Sequence, residues 1–218
     1  GLACFYGGLV RKKNTVNTMM SSIFIIGTAI VMWVIFGYSL SFAPTENGII
    51  GDFRWLGLEG VSLEDGYTES SAIPNMVFCA FQMMFAIITP ALITGATAGR
   101  IKFKSLFIFI VTWTIIVYYP LAHMVWGIGG KLGLDGLGAL DFAGGDVVHI
   151  SSGVSALVLC ILLGKRCDYD RAAYRIHNIP TVVIGASLLM FGWFGFNAGS
   201  ALKADGLAAH AFMTSAIS

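Results

Sequence analysis

The stretch DFAGGDVVHISSGVSALVLCILLG, Asp141–Gly164, decides how the rest of the chain is interpreted. From Val147 onward it is an apolar run whose only ionisable side chain is His149. A run of about 17–25 apolar residues can cross a bilayer as a helix. Ionisable groups inside a bilayer cost free energy, and those that occur usually mark the path of a substrate or ion. The stretch therefore predicts a transmembrane helix that contains a functional histidine.

The composition of the 218-residue chain indicates a membrane protein. Hydrophobic residues make up 56% of the chain, and the mean hydropathy is +0.79. Charged residues make up 11%, whereas soluble domains carry roughly 25%. This deficit of charge excludes a water-soluble globular protein, and the hydrophobic content excludes intrinsic disorder. The net charge of +1 gives no general attraction to nucleic acid.

Apolar windows predict an all-α, polytopic membrane protein. The windows are longer and more uniformly apolar than the roughly ten-residue alternating strands of a membrane barrel. The five predicted spans are Met19–Phe42, Asn75–Ala98, Ser105–Gly130, Val147–Gly164 and Ile176–Leu202. We expect Gly1–Val10 to end an earlier span and Gly206–Ser218 to begin a later one. The chain is therefore expected to be part of a longer protein.

The loops between these windows alternate in charge. Ten of the thirteen basic residues fall in alternate loops, and ten of the twelve acidic residues fall in the others. Cytoplasmic loops of membrane proteins carry the excess of Lys and Arg. The predicted cytoplasmic segments are therefore Arg11–Lys13, Arg100–Lys104 and Lys165–Arg175, the last including Arg171.

The sequence predicts no enzyme, metal site or cofactor. It lacks HExxH, GxSxG and P-loop motifs, and it has no paired catalytic carboxylates. The four cysteines show no CxxC spacing, so we expect neither a zinc site nor a disulfide framework. They are Cys4, Cys79, Cys160 and Cys167.

Two acidic residues and a histidine lie near the start of the fourth window. Asp141 can cap the helix through backbone N–H groups, or it can shape a cation site, and the two roles are compatible. Asp146 lies closer to the apolar run and is the simpler candidate for the cap. His149 is eight residues after Asp141, about 80° away around a helix, so we do not expect the two to pair directly. His149 is either a core histidine with bonded ring nitrogens or a pore-lining residue, and its apolar surroundings favour the second role.

Aromatic and polar residues recur at helical spacing in two other windows. Phe81 and Phe85 share a helix face at i,i+4, as do Phe196 and Ser200. Such stripes are more often packing than ligand sites. Trp126 is expected near the outer membrane interface, where Trp commonly anchors, with His123 beside it.

Two eight-residue segments repeat a spacing. GLACFYGG, Gly1–Gly8, and GWFGFNAG, Gly192–Gly199, share Gly, Phe and Gly at the same three positions. The predicted topology runs these segments in opposite directions. Two related halves of opposite topology, with the site between them, are a frequent transporter plan.

Five motifs together resemble the ammonium transporter family (Amt/Mep/Rh), and its Amt branch most closely. They occur in the family's order and cover nearly the whole chain: GLACFYGGLVRKKN, FQMMFAIITPALI, AHMVWG, LDFAGGDVVHISSG and GWFGFNAGSA. The resemblance implies an eleven-helix fold of two inverted five-helix halves, assembled as a homotrimer. On this basis residues 1–218 form one transmembrane domain from the end of the first helix to the start of the seventh. The first repeat covers about 1–164, and the second begins in about 176–218.

The resemblance also implies a role for each candidate residue. Phe85, Trp126 and Ser200 match the outer ammonium site, and Phe85 with Phe196 matches the stacked pair that gates the pore. Asp141 matches an essential acid near that site, and His149 matches the first of two pore histidines. Gln82 matches a motif position to which we assign no role.

The expected function is ammonium transport across the plasma membrane, the inner membrane of a bacterial cell. Ammonium is recruited at the outer aromatic site and deprotonated, and ammonia crosses a hydrophobic pore lined by His149. A PII-type regulator or a fused signalling domain is a possible cytoplasmic partner. Three alternatives stay open: an ammonium sensor fused to a signalling domain, a gas channel of the Rh type, and a membrane scaffold.

Overall fold

The computed structural model describes residues 1–134, 136–166, 169 and 173–218, so Cys167 and Arg171 lie outside the described residues. Within these ranges the regular structure is helical, apart from one isolated bridge between Gly66 and Pro74. The helices are α1 (Leu2–Leu9), α2 (Lys12–Phe42), α3 (Asn75–Thr97), α4 (Phe103–Trp126), α5 (Gly145–Leu163), α6 (Ile179–Gly199) and α7 (Gly206–Ile217).

Helices α2 to α6 are long and apolar enough to cross a membrane, which confirms the five predicted spans. The largest differences lie at two ends. Helix α2 begins with a 3₁₀ turn at Lys12–Asn14, so its first turns are polar and precede the predicted start at Met19. Helix α4 ends at Trp126 because Gly127 adopts an extended conformation. Hydropathy therefore locates the spans, while local backbone geometry fixes their ends.

Three spans contain a π-helical turn. The turns are Trp33–Gly37 in α2, Thr114–Tyr118 in α4 and Gly145–Ile150 at the start of α5. Single π turns inside α-helices are frequent at functional sites. The turn in α5 contains His149, whose backbone N–H bonds the carbonyl of Gly144 at 3.0 Å.

Helix α3 lies at the centre of the described chain, and α6 lies at its edge. Half of the apolar window of α3 is buried, against 6% for α6. Helix α6 packs on α1 through glycines, since a Cβ at Gly185 would lie only 2.3 Å from the backbone nitrogen of Phe5. Small residues allow helices in membranes to approach this closely.

The loops meet at two ends of the helix bundle. Residues 43–74, 127–134, 136–144 and 200–205 form the acidic end, where the backbone nitrogen of Lys131 donates to the carbonyl of Gly48 at 3.0 Å. Residues 10–14, 98–102, 164–166, 169 and 173–178 form the basic end. There the Arg100 guanidinium donates to the carbonyl of Gly164 at 2.9 Å, and to that of Ala96. Each span therefore joins opposite ends.

Candidate functional site

A cavity of about 320 Å³ opens at the acidic end. Four of the six predicted site residues line it: Phe85 from α3, Trp126 from the end of α4, Asp141 from the following loop, and Ser200 just after α6. We call it the aromatic cavity because rings make up much of its wall. Its other lining residues are Tyr67, Thr68, Ser71, Phe78, Phe81, Gln82, Leu134, Leu140, Phe142 and Leu202.

The carboxylate of Asp141 caps the start of α5. Its Oδ1 accepts from the nitrogens of Gly144 at 2.5 Å and Gly145 at 2.8 Å, and its Oδ2 accepts from those of Asp146 at 2.8 Å and Val147 at 2.9 Å. These four donors would otherwise lack an intrahelical partner. The expectation that Asp146 is the simpler cap is wrong, because its own nitrogen is one of the groups that Asp141 caps.

Gly144 makes this cap possible. It has φ of +99°, in the left-handed region that side chains rarely adopt. A Cβ at this position would also lie 2.7 Å from Cγ2 of Val148 and 3.6 Å from the ring of Phe85. The turn Phe142–Gly145, which folds back over Phe85, therefore favours glycine at this position.

Trp126 is held in place by the capping loop. Its indole N–H donates to the carbonyl of Asp141 at 2.9 Å. Its ring meets Phe85 edge-on, with centroids 5.5 Å apart and planes at 82°. The indole therefore stands as a wall of the aromatic cavity.

Phe85 and Phe196 form the closest contact between the rings of the predicted site. Their centroids are 4.2 Å apart with planes at 31°, and Phe85 is only 1% exposed. Phe81 packs on Phe85 from the preceding turn at 4.9 Å. The hydroxyl of Ser200 donates to the carbonyl of Phe196 at 2.9 Å, which leaves its lone pairs free to accept.

A second cavity, of about 470 Å³, lies toward the basic end and contains His149. We call it the histidine cavity. Phe196 lies between the two, because its centroid is 4.2 Å from that of Phe85 and 6.4 Å from the imidazole of His149. The other lining residues are Tyr6, Leu9, Val10, Leu92, Gly95, Ala96, Ala98, Ser152, Gly153, Ala156, Arg166 and Tyr174.

His149 differs from the core histidine of this chain. No described residue hydrogen-bonds its ring, which stacks on Trp193 at 5.4 Å and 17°. His123, in contrast, is fully buried, with ring nitrogens 3.2 Å from the carbonyl of Ser41 and 3.2 Å from the hydroxyl of Thr45. His123 is therefore a structural residue in the last turn of α4. Of these two histidines, only His149 presents ring nitrogens that a small molecule can reach.

The sequence interpretation missed two residues of the site. Trp193 stacks on both His149 and Phe196, and it lies three residues before Phe196, on the same helix face. Tyr67 stacks on Phe78 at 4.6 Å, and its hydroxyl donates to the carbonyl of Phe42 at 3.0 Å. Burial raises the pKa of this hydroxyl well above its ordinary value, so it stays protonated. Helical spacing could have found Trp193, whereas Tyr67 comes from a distant loop without a local signal.

The chemistry of the two cavities suits a small cation or its neutral form. The aromatic cavity presents ring faces and hydroxyl lone pairs, which attract cations and accept N–H bonds. Within the described part of the chain, no group of three or more His, Cys, Asp or Glu side chains comes together as a metal site.

Comparison with known proteins agrees with this geometry. The sequence model of the Ammonium Transporter Family matches residues 1–218. An ammonium transporter of Bacillus subtilis is 52% identical over 213 residues, which are 98% of this chain and 51% of that protein. Its name is that of a transporter, in line with the expectation that the chain is not an enzyme.

Solved structures show the same fold. The crystal structure of Saccharomyces cerevisiae Mep2 matches with a TM-score of 0.85 at 36% identity, over 98% of this chain and 49% of that one. A structure titled Sensor Amt Protein matches with a TM-score of 0.79 at 27% identity, over 95% and 52%. The chain spans about half the length of the relatives it matches. With its whole length covered by the family model, the chain belongs to the ammonium transporter family.

Proposed function

We propose that the full-length protein transports ammonium by capturing the cation in the aromatic cavity and passing ammonia beside His149. The observation that carries this proposal is the position of Phe196. Its ring packs on Phe85 of the aromatic cavity, with centroids 4.2 Å apart, and its centroid lies 6.4 Å from that of the imidazole in the histidine cavity. Capture and passage are therefore assigned to different cavities on either side of a ring pair.

Capture depends on the rings and on Ser200. Cation–π attraction contributes about 2 kcal/mol when a cation is desolvated over an aromatic face, and Phe85 and Trp126 both offer rings. The free lone pairs of the Ser200 hydroxyl accept an N–H bond. Potassium carries the same charge but has no N–H group, so the hydroxyl favours ammonium.

Passage requires loss of the charge. Moving a monovalent cation into a low-dielectric interior costs of order 20 kcal/mol in the idealised Born limit, and several kcal/mol after relaxation. Two or three contacts of about 2 kcal/mol offset that cost at the cavity but not between two stacked phenyl rings. Ammonium therefore releases its proton to solvent water at the aromatic cavity, before the ring pair, and neutral ammonia passes. His149 then hydrogen-bonds the ammonia, and one of its free ring nitrogens can accept that proton from water and release it again.

Asp141 acts mainly through structure. Its carboxylate is fully occupied by backbone N–H groups, and its carbonyl holds Trp126. It thus shapes the capture site, while its negative charge lowers the local potential for an arriving cation.

The charge of the loops and the resemblance to the family support a proposal for the orientation, assembly and partner of the protein. The basic end faces the cytoplasm, and the protein lies in the plasma membrane. It assembles as a homotrimer, with the first repeat in about 1–164 and the second beginning in about 176–218. The glycine-mediated packing of α1 on α6 supports pairing of the first helices of the two repeats. A PII-type regulator would bind the basic end.

Transport is tested with the full-length protein in proteoliposomes that carry a membrane-potential probe and an internal pH probe. We expect an ammonium-dependent response that saturates with concentration, exceeds that of protein-free liposomes and is absent with potassium. A response equal to that of protein-free liposomes would overturn the proposal.

A sensor is the second candidate function, favoured by the match to the structure titled Sensor Amt Protein. In that case the same aromatic cavity would bind ammonium and change the activity of a signalling domain. Saturable ammonium binding without flux, together with a signalling domain later in the chain, would favour this candidate over transport.

A further inference from the structure

One buried polar side chain of the aromatic cavity has no role in the proposed mechanism. Gln82 lies on α3, three residues before Phe85, and borders the cavity. The residue is 7% exposed, and its carboxamide oxygen accepts no hydrogen bond from any described residue. Buried polar atoms in folded proteins are almost always paired, so this oxygen needs a physical explanation.

A ligand with N–H groups can provide the missing partner. The oxygen and nitrogen of a carboxamide are nearly equal in size, and the last torsion of glutamine is broad and roughly two-fold. A half-turn of the carboxamide therefore exchanges the two atoms with little change in packing. The acceptor can face the cavity when a donor arrives there.

The side-chain polar groups of Trp126 and Asp141 at the cavity are already engaged. The indole N–H of Trp126 donates to the carbonyl of Asp141, and the carboxylate of Asp141 accepts four backbone N–H groups. The Ser200 proton goes to the carbonyl of Phe196, which leaves the hydroxyl as an acceptor. The Gln82 oxygen adds a second acceptor on the opposite helix.

We infer that Gln82 is a specificity-determining residue of the aromatic cavity, whose carboxamide oxygen accepts an N–H bond from bound ammonium. The inference deepens the proposed function and rests on it. Ammonium has four N–H groups in tetrahedral directions, so acceptors on α3 and beyond α6 can bond it from two sides while rings face the rest. An alkali cation gains no directional bond from either acceptor.

The test measures the concentration dependence of ammonium flux in proteoliposomes with the full-length protein. Gln82→Met keeps the length of the side chain and removes the acceptor. Because a hydrogen bond to a charged group is lost, the half-saturating ammonium concentration should rise about 10- to 100-fold. Gln82→Glu keeps an acceptor oxygen, and any negative charge that it gains attracts the cation, so the half-saturating concentration should not rise. Met84→Leu is the matched control, because Met84 lies on the same helix and is 47% exposed.

The outcomes separate this inference from the proposed function. If Gln82→Met has the half-saturating concentration of the wild type, the inference about Gln82 is overturned and the proposed function is not. A lower yield of folded protein would not change this conclusion, because a purely structural role changes yield rather than affinity. Should Gln82→Met not fold, Gln82→Asn withdraws the oxygen by one methylene and is judged by the same criterion. Absence of saturable flux in the wild type would instead overturn the proposed function.

Discussion

Replacing Asp141 with asparagine should destabilise the protein by removing part of the cap on α5. The carboxylate accepts from four backbone nitrogens, two on each oxygen. Asparagine has a single acceptor oxygen and turns an N–H₂ group toward the other two nitrogens. Whichever way the amide points, it leaves two nitrogens unpaired: one on a buried residue, Gly144 or Val147, and one on a more exposed residue, Gly145 or Asp146.

The magnitude follows from these two kinds of nitrogen. A buried donor without a partner costs roughly 1–3 kcal/mol, and loss of a cap typically costs about 1 kcal/mol. We therefore expect Asp141→Asn to lower the free energy of unfolding by about 2–4 kcal/mol. The shift is roughly 2–4 °C per kcal/mol for 150–250 residues and about half that for a protein twice as long, so the melting temperature should fall by at least about 2 °C.

The assay is thermal unfolding of the purified full-length protein in detergent, followed by tryptophan fluorescence. Asp146→Asn is the matched control, since its side chain accepts none of the four capping bonds, and its effect should stay within about 0.5 kcal/mol. Equal melting temperatures for Asp141→Asn and the wild type would refute the cap. If ammonium capture were lost in that case, the carboxylate would act on the ion directly.

Three further predictions concern neighbouring parts of the structure. Trp126→Phe keeps a ring but loses the hydrogen bond to the carbonyl of Asp141. The half-saturating ammonium concentration should therefore rise about fivefold, which corresponds to about 1 kcal/mol. An unchanged half-saturating concentration would contradict the role of that bond. Gly144→Ala should lower stability by at least about 1–2 kcal/mol in thermal unfolding, because φ is +99° there, and wild-type stability would contradict the described turn. Gly185→Val should separate α1 from α6 and reduce the monodisperse fraction in size-exclusion chromatography. Gly27→Ala is the control and should not reduce that fraction, because Gly27 has open space around it. Equal elution profiles for the two variants would argue against the close packing of α1 on α6.

The membrane spans could be predicted from sequence because a bilayer restricts which backbone structures can cross it. Backbone groups in hydrocarbon must be satisfied within the chain, so an apolar run of sufficient length has to be helical. The ends of the spans follow other rules. Helix α2 starts before its apolar part, and α5 starts with a π turn, which hydropathy does not detect.

The candidate site was predicted in part. Helical spacing placed Phe85 beside Phe81, and the family motifs supplied Trp126 and Ser200, which the structure brings to one cavity. The capping residue could not be read from proximity to the helix, because the chain between Asp141 and the helix folds back through the left-handed Gly144.

The roles of His123 and His149 could not be told apart from the sequence either. Both lie in apolar windows, but the ring of His123 bonds the carbonyl of Ser41 and the hydroxyl of Thr45, while that of His149 stacks on Trp193. Which of them is a structural residue depends on partners that are distant in sequence.

The central claim is that capture and passage are separate steps in separate cavities. It is tested most directly by the concentration dependence of ammonium flux through full-length His149→Ala in proteoliposomes. The account predicts a maximal rate at least about tenfold lower, as expected when a positioned proton-transfer group is lost, with a half-saturating concentration within about twofold of the wild type. An unchanged maximal rate, or a large shift of the half-saturating concentration alone, would contradict it.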